Sequence, residues 1–259
     1  MKRNVKAIIV AAGIGSRLMK VTQIPKCMIT NKSNISVLDT IINSLNNAGL
    51  NESDIIVVSG YQHSLLCDHI NGRTRIIHND SYYCTNNFTS FKLGFTDFIN
   101  NSVDNNLFVI DADTVIHDSS VFRNFLELNT ENKSHALLTS RYKIDEWYYL
   151  TDSSDLVTRI FKHNPEISFA DETQKKYDSS RIFTSTGLTY FNCNDIHIIN
   201  NILREIHVES TNNYYSYWDD VFFHNLDRIK LYRFDITDLT SEIDSVKDYE
   251  MFINSESYG

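Results

Sequence analysis

Apolar residues in the first half of the chain fall into short unbroken runs separated by stretches with helical spacing. Ala7-Ile8-Ile9-Val10, Ile55-Ile56-Val57-Val58, Arg75-Ile76-Ile77-His78 and Leu107-Phe108-Val109-Ile110 are short and rich in β-branched residues. Such runs predict strands, the longer apolar ones buried on both faces. Between the first two, residues 37, 38, 41, 42, 45 and 48 are apolar, which predicts a helix capped by Ser36 or Asn34 and stopped at Gly49. Residues 62–71 predict a second helix, and Phe91, Leu93, Phe95 and Phe98 a third over 89–99. Strands alternating with helices in this way build a parallel sheet covered by helices on both faces. Ligands of such sheets bind at the carboxyl ends of the strands, where residues 11–17, Gly60 and Asp111 would emerge.

The second half is less regular. Residues 136–139, 147–150, 157–160 and 183–191 read as strands, and 194–205 as a helix. The polar stretch 161–181, with Pro165, reads as a surface loop or flap. Gly187 inside a strand marks a place where a ligand approaches the backbone. No Pro/Gly/Ser linker, repeat or low-complexity segment divides the chain, so residues 1–259 read as one domain with an inserted subregion.

Chemistry enters where the first strand ends. Ala11-Ala12-Gly13-Ile14-Gly15-Ser16-Arg17 places two glycines in a turn, where backbone N–H groups can converge on an anion. Arg17 adds a planar charged fork, and Lys26, behind Pro25, a mobile point charge. This predicts a polyphosphate cradle. It is not a Walker A loop, since the chain has no Gly-Lys pair, nor a dinucleotide fingerprint, since position 18 is Leu. Asp111-x-Asp113 at a strand end can hold Mg²⁺ through oxygen ligands, or can simply cap a turn. Asp219 and Asp220, beside Tyr217 and Trp218, can serve a metal or the N-terminus of a helix. Trp147, Tyr215 and Trp218 lie beside acids, a composition that suits either a quaternary ammonium or aromatic packing. Thr186 and Gly187 could instead serve the hydroxyl groups of a sugar phosphate.

A formal charge of −9 argues against a nucleic-acid partner or an anionic membrane surface, while leaving room for local positive charge around a triphosphate. The four cysteines have no metal-ligand spacing and suit a reducing compartment. The N-terminal apolar run is too short for a signal peptide, and no stretch reaches the length of a membrane span. A cytoplasmic location is expected.

Ala11-Ala12-Gly13-x-Gly15-Ser16-Arg17-Leu18 followed by Pro25-Lys26-Cys27-Met28 resembles the signature of nucleotidyltransferases that activate sugar phosphates and phosphocholine. The resemblance is closest to the CTP:phosphocholine cytidylyltransferases. It implies an α/β, Rossmann-like, mostly parallel mixed sheet of the nucleotide-diphospho-sugar transferase type. Residues up to about 115 would then hold the nucleotide, and the rest the acceptor. It further implies Mg²⁺ as cofactor, with Asp113 as principal ligand, Asp111 as neighbour, and Asp220 then Asp219 as the second carboxylate. Asn86-Asn87-Phe88-Thr89-Ser90 resembles the family segment along the nucleotide, which implies binding roles for Asn87 and Ser90. The closing Glu242-Ile243-Asp244 resembles a family stretch read here as structural. Lys20 replaces the usual loop proline, and the shortened Thr22–Pro25 spacing departs from many sugar enzymes. The implied reaction is attack of a phosphate or phosphonate oxygen on the α-phosphorus of a nucleoside triphosphate, CTP being favoured, with loss of pyrophosphate. A sugar-1-phosphate nucleotidylyltransferase and a non-catalytic nucleotide-binding regulatory module are the alternatives.

Overall fold

The computed structural model describes residues 4–102, 104–143, 146–162, 178–209 and 216–256. Its centre is β1 (Val5–Ala11), hydrogen-bonded in parallel to β2 (Ile55–Ser59) on one side and β4 (Asn106–Asp111) on the other. β3 (Arg75–His78) extends the parallel array beyond β2. Beyond β4 the direction reverses. β9 (Ile182–Phe191) runs antiparallel to both β4 and β6 (Ser134–Thr139), and β10 (Leu231–Asp235) pairs parallel with β6. β7 (Trp147–Thr151) pairs with β9 and forms an antiparallel hairpin with β8 (Val157–Lys162). β5 (Thr114–Ile116) and β11 (Thr240–Glu242) make a separate two-stranded ladder.

Alternate residues of β1 face different helices, which is why the strand reads as an unbroken apolar run. Ile8 and Val10 enter one core with Phe91 and Phe95 of α3 (Asn87–Ser102) and Ile196 and Ile199 of α5 (Cys193–Glu209). Ala7, Ile9 and Ala11 enter the other, with Leu38 and Ile41 of α1 (Val37–Asn47) and Phe122 and Phe125 of α4 (Val121–Leu128). α1 starts at a capping box in which Ser36 and Asp39 exchange side-chain and backbone hydrogen bonds. α2 (His63–Ile70) follows β2, and α6 (Asp220–Phe223) and α7 (Val246–Ile253) lie in the second half. Residues 161–162 complete β8 rather than opening a loop, and most of the expected flap, Glu172 included, lies outside the described residues. No described helix is long and apolar enough to cross a membrane.

Sequence spacing alone missed β5, α4, β10, β11 and α7, and offered α6 only as one of two readings of Asp219 and Asp220. Each is eight residues or shorter, and β10 and β11 are half-buried edge segments without a continuous apolar run.

Candidate active site

The parallel strands deliver β1, β2 and β4 to one edge, and a cleft of about 290 Å³ opens there. Ala11, Ala12, Gly13, Gly15, Lys26, Asn87, Ser90, Asp111, Asp113 and Tyr217 all line it. The glycine loop is anchored from below by Leu18, which packs with Ile29, Val37, Val115, Ile243 and Phe252 in a small third core. That role accounts for leucine where a dinucleotide fingerprint has glycine. Gly15 sits at φ 67°, a left-handed turn into the short 3-10 segment Ser16–Leu18. Ser16 and Arg17 are exposed on it. Gly60 supports the loop from behind: a Cβ there would stand 2.7 Å from the Ala12 carbonyl oxygen and 2.6 Å from Tyr82 Cβ.

Lys26 opens a second 3-10 turn, Lys26–Met28, and its stem runs past Gly15. Its ammonium donates to Asp113 Oδ2 at 2.8 Å and to Asp244 Oδ1 at 2.7 Å. Burial disfavours the charged lysine, but these two carboxylates outweigh burial and hold its pKa above the ordinary value. Arg17 reaches the same Asp244 oxygen at 3.3 Å. Asp244 arrives through the β5–β11 ladder, extended by Ile243 N–H donating to the Asp113 carbonyl at 3.1 Å. The closing Glu-Ile-Asp stretch, expected to be structural, therefore also supplies a charged group to the site. The signal available in the sequence was only a pair of spaced acids, Glu242 and Asp244.

Asp111 is locked differently. Its Oδ1 accepts from Asn87 Nδ2 at 3.1 Å and from Trp218 Nε1 at 3.0 Å, while Asn87 Oδ1 takes the Trp218 N–H at 3.2 Å. Burial, followed by the charge of Asp113, pushes its carboxyl up to about 7. Asp219 is buried, accepts from the Tyr149 hydroxyl at 3.1 Å, and is pushed well up by burial and then by Asp111. Asp220 is engaged by backbone. Its Oδ2 accepts the Ser216 and Tyr217 amides at 2.7 and 2.8 Å, closing the turn that starts α6. The helix-terminus role is the one its geometry displays. Across from Lys26, carboxylate oxygens of Glu146, Glu242 and Asp244 lie within 4.8 Å of one another, with Lys143 on Glu242 at 2.5 Å. Burial pushes the Glu242 carboxyl up to about 8 against the opposing pull of Lys143.

The aromatic residues separate into two groups. Trp218 is 1% exposed and packs on Phe91 and Phe222, so its ring face does not meet a ligand, contrary to the expectation of an ammonium platform. Trp147 contacts Tyr217 and Phe223, with ring centroids 6.3 and 5.9 Å away, and Lys162 Nζ lies 5.4 Å from the Tyr217 centroid. Tyr215 lies outside the described residues. Thr186 and Gly187 are buried within β9; the Thr186 hydroxyl donates to the Leu137 carbonyl at 2.5 Å rather than presenting itself to a ligand. Gly187, at φ 67°, is pressed against Asp111, not against open space.

A glycine turn at the carboxyl edge of a parallel sheet, with cations and paired acids at its lip, is an arrangement that can receive a polyphosphate. No family model matches the chain. The choline-phosphate cytidylyltransferase of Haemophilus influenzae is 26% identical over 247 residues, 94% of either chain. The 2-aminoethylphosphonate cytidylyltransferase of Lancefieldella rimae is 23% identical over 259 residues, covering 97% of this chain and 93% of that one. Among solved structures, the CTP:phosphocholine cytidylyltransferase of Streptococcus pneumoniae superposes with a TM-score of 0.75 at 24% identity, over 96% of this chain and 97% of that one. Over nearly its whole length the chain is similar to these nucleotidyltransferases, and it shares their fold. The curated relatives that match it over nearly its whole length are cytidylyltransferases acting on small phosphorus-bearing headgroups.

Proposed function

We propose that this chain transfers a cytidylyl group from CTP to a phosphorylated or phosphonate headgroup carrying an amine, releasing pyrophosphate in the cytoplasm with Mg²⁺ as cofactor. The convergence of Lys26, Asp113 and Asp244 at the lip of the glycine cradle supports this reading most directly. The donor set fits a divalent cation. Asp111, Asp113, Glu146, Glu242 and Asp244 crowd one region, and two of these carboxyls are pushed to about 7 and about 8 as burial and neighbouring negative charge oppose their ionisation. We assign the ion to Asp113 and Asp244, whose carboxylates meet at Lys26, with Asp111 nearby, and not to Asp220, whose Oδ2 accepts a backbone amide. When bound, Mg²⁺ would neutralise the triphosphate and orient its α-phosphorus.

The chain's own groups do the remainder. Amides of the Gly13–Gly15 turn bind phosphate oxygens, and Arg17 and Lys26 stabilise charge on the leaving pyrophosphate. Asn87 and Ser90, which line the cleft, would contact the nucleotide. No general base is needed, because a phosphate acceptor is already ionised near neutral pH. Trp147, Tyr217 and Phe223, beside Glu146, offer an aromatic and acidic surface suited to an ammonium. Residues beyond about 115 thus serve the acceptor, and those before it chiefly the nucleotide.

Phosphorus-31 NMR of the protein with CTP, Mg²⁺ and phosphocholine or 2-aminoethylphosphonate tests the proposal. A new diphosphate-linked product together with pyrophosphate is expected. Asp113→Asn and Asp244→Asn should lose turnover by about 100-fold or more, while Asp220→Asn keeps it within about tenfold. Loss confined to Asp220→Asn would reverse the assignment of the metal carboxylates.

A further inference from the structure

Lys26 lies where its ammonium satisfies two carboxylates at once. Nζ is 2.8 Å from Asp113 Oδ2 and 2.7 Å from Asp244 Oδ1, and the lysine side chain is only 16% exposed. Arg17 touches one of the same oxygens from a side chain that is 68% exposed. The two carboxylates come from distant parts of the chain, the β4–β5 turn and the end of the β5–β11 ladder, and Lys26 is the direct ionic link between them. Two carboxylates drawn to one point repel, and the ammonium between them offsets that repulsion.

We propose that Lys26 is a placeholder cation, occupying the position between Asp113 and Asp244 until a divalent ion replaces it. The inference rests on the metal reading of these two carboxylates given above. Lys26 engages Asp113 Oδ2 and Asp244 Oδ1, so an ion bridging those same two oxygens would meet the ammonium and displace it. The lysine stem passes Gly15, its Cγ 3.1 Å from where a Cβ on that glycine would lie, so the freed ammonium stands beside the phosphate cradle. A bound triphosphate offers it new oxygens there, and drawing Lys26 toward them uncovers Asp113 and Asp244. Metal and triphosphate then favour one another, and the coupling must act equally in both directions. The metal-free acids also remain paired rather than mutually repelling.

The test is Mn²⁺ binding to the full-length protein without nucleotide, followed by electron paramagnetic resonance of the free ion. Wild type, Lys26→Met, Arg17→Gln and Asp113→Asn are compared, with thermal melts to establish that each is folded. Lys26→Met removes the competitor and should bind Mn²⁺ about tenfold more tightly than wild type. Arg17→Gln removes the same charge from an exposed side chain touching one carboxylate, and should gain less than about threefold. Asp113→Asn should lose the site. Unchanged or weaker binding by Lys26→Met, with wild type binding Mn²⁺ and Asp113→Asn not, would overturn the placeholder and leave the metal assignment intact. Equal gains from Lys26→Met and Arg17→Gln would also overturn it, because bulk charge would then explain both. Absence of binding in both wild type and Lys26→Met, or full binding by Asp113→Asn, would overturn the metal assignment itself. Should Lys26→Met fail to fold, Lys26→Arg replaces it: a bulky planar fork that holds its charge should obstruct Mn²⁺ at least as well as lysine, and tighter binding would contradict the idea.

Discussion

Replacing Gly187 by alanine probes how firmly the acidic site is held by the sheet behind it. Gly187 has φ 67°, a conformation that costs an ordinary L-residue about 1–2 kcal/mol. An added Cβ would lie 2.8 Å from Asp111 Cβ, 3.0 Å from its Oδ2 and 3.3 Å from its Cγ. Carbon atoms in good contact are roughly 3.5–4.0 Å apart, so the overlap must be relieved by movement. Asp111 cannot turn away easily, because Asn87 and Trp218 both hold its other oxygen. Overpacking of this kind costs about 1–3 kcal/mol. Together the strain and the clash predict a loss of about 2–5 kcal/mol in unfolding free energy, read from urea denaturation with an unchanged slope. In an Asp111→Gly background the clashing atoms are gone, and the cost of Gly187→Ala should fall to the backbone strain of about 1–2 kcal/mol. A loss below about 1 kcal/mol in the parent, or the same loss in both backgrounds, would refute the claim that Gly187 is small to make room for Asp111.

Trp218→Ala should act on stability, costing about 3–5 kcal/mol by denaturant titration, because the indole is buried between Phe91 and Phe222; a selective rise in acceptor KM without destabilisation would contradict this. Tyr217→Ala, by contrast, removes an exposed ring lining the cleft and should raise acceptor KM by about three- to tenfold in steady-state assays, and an unchanged KM would exclude it from the ammonium surface. Asp39→Ala should cost about 1–2 kcal/mol near pH 7 through loss of the α1 capping box. Burial raises the Asp39 carboxyl, but hydrogen bonds from Ser36 and the charges of His69 and Arg73 outweigh it, so its folded pKa is lowered. Its contribution is therefore present above the unfolded value of about 3.9 and lost as pH falls through the lower folded value, so wild-type and Asp39→Ala stabilities, measured by urea titration, should converge on acidification.

The cradle and its sheet were legible because the physics there is local. Strands covered by helices on both faces become continuous apolar runs, and the glycine pair after such a run, with Arg17 and Pro25-Lys26 following, pointed to the sheet's carboxyl edge. α1 announced itself through Ser36 and the spacing of its leucines and isoleucines, and the structure keeps both. Asp244 was not legible as a site residue, because its place depends on a ladder of two three-residue strands 126 positions apart at the Val115–Ser241 pair. Trp218 was misread because the acids beside it drew attention from its spacing. Residues 218, 221 and 222 lie on one helical stripe, and all three are buried. For Asp220 the residues alone left a metal role and a helix-terminus role open, and in the structure its Oδ2 accepts the backbone amides of Ser216 and Tyr217.

The central claim is nucleotidyl transfer to an amine-bearing phosphate or phosphonate. Its most direct test is pyrophosphate release with Mg²⁺, for each of four nucleoside triphosphates against phosphocholine, phosphoethanolamine, 2-aminoethylphosphonate and glucose-1-phosphate. Release with CTP and one of the amine-bearing acceptors, and its loss in Asp113→Asn, is the predicted result. Release only with the sugar phosphate, or no release from any combination while CTP still binds, would contradict the account.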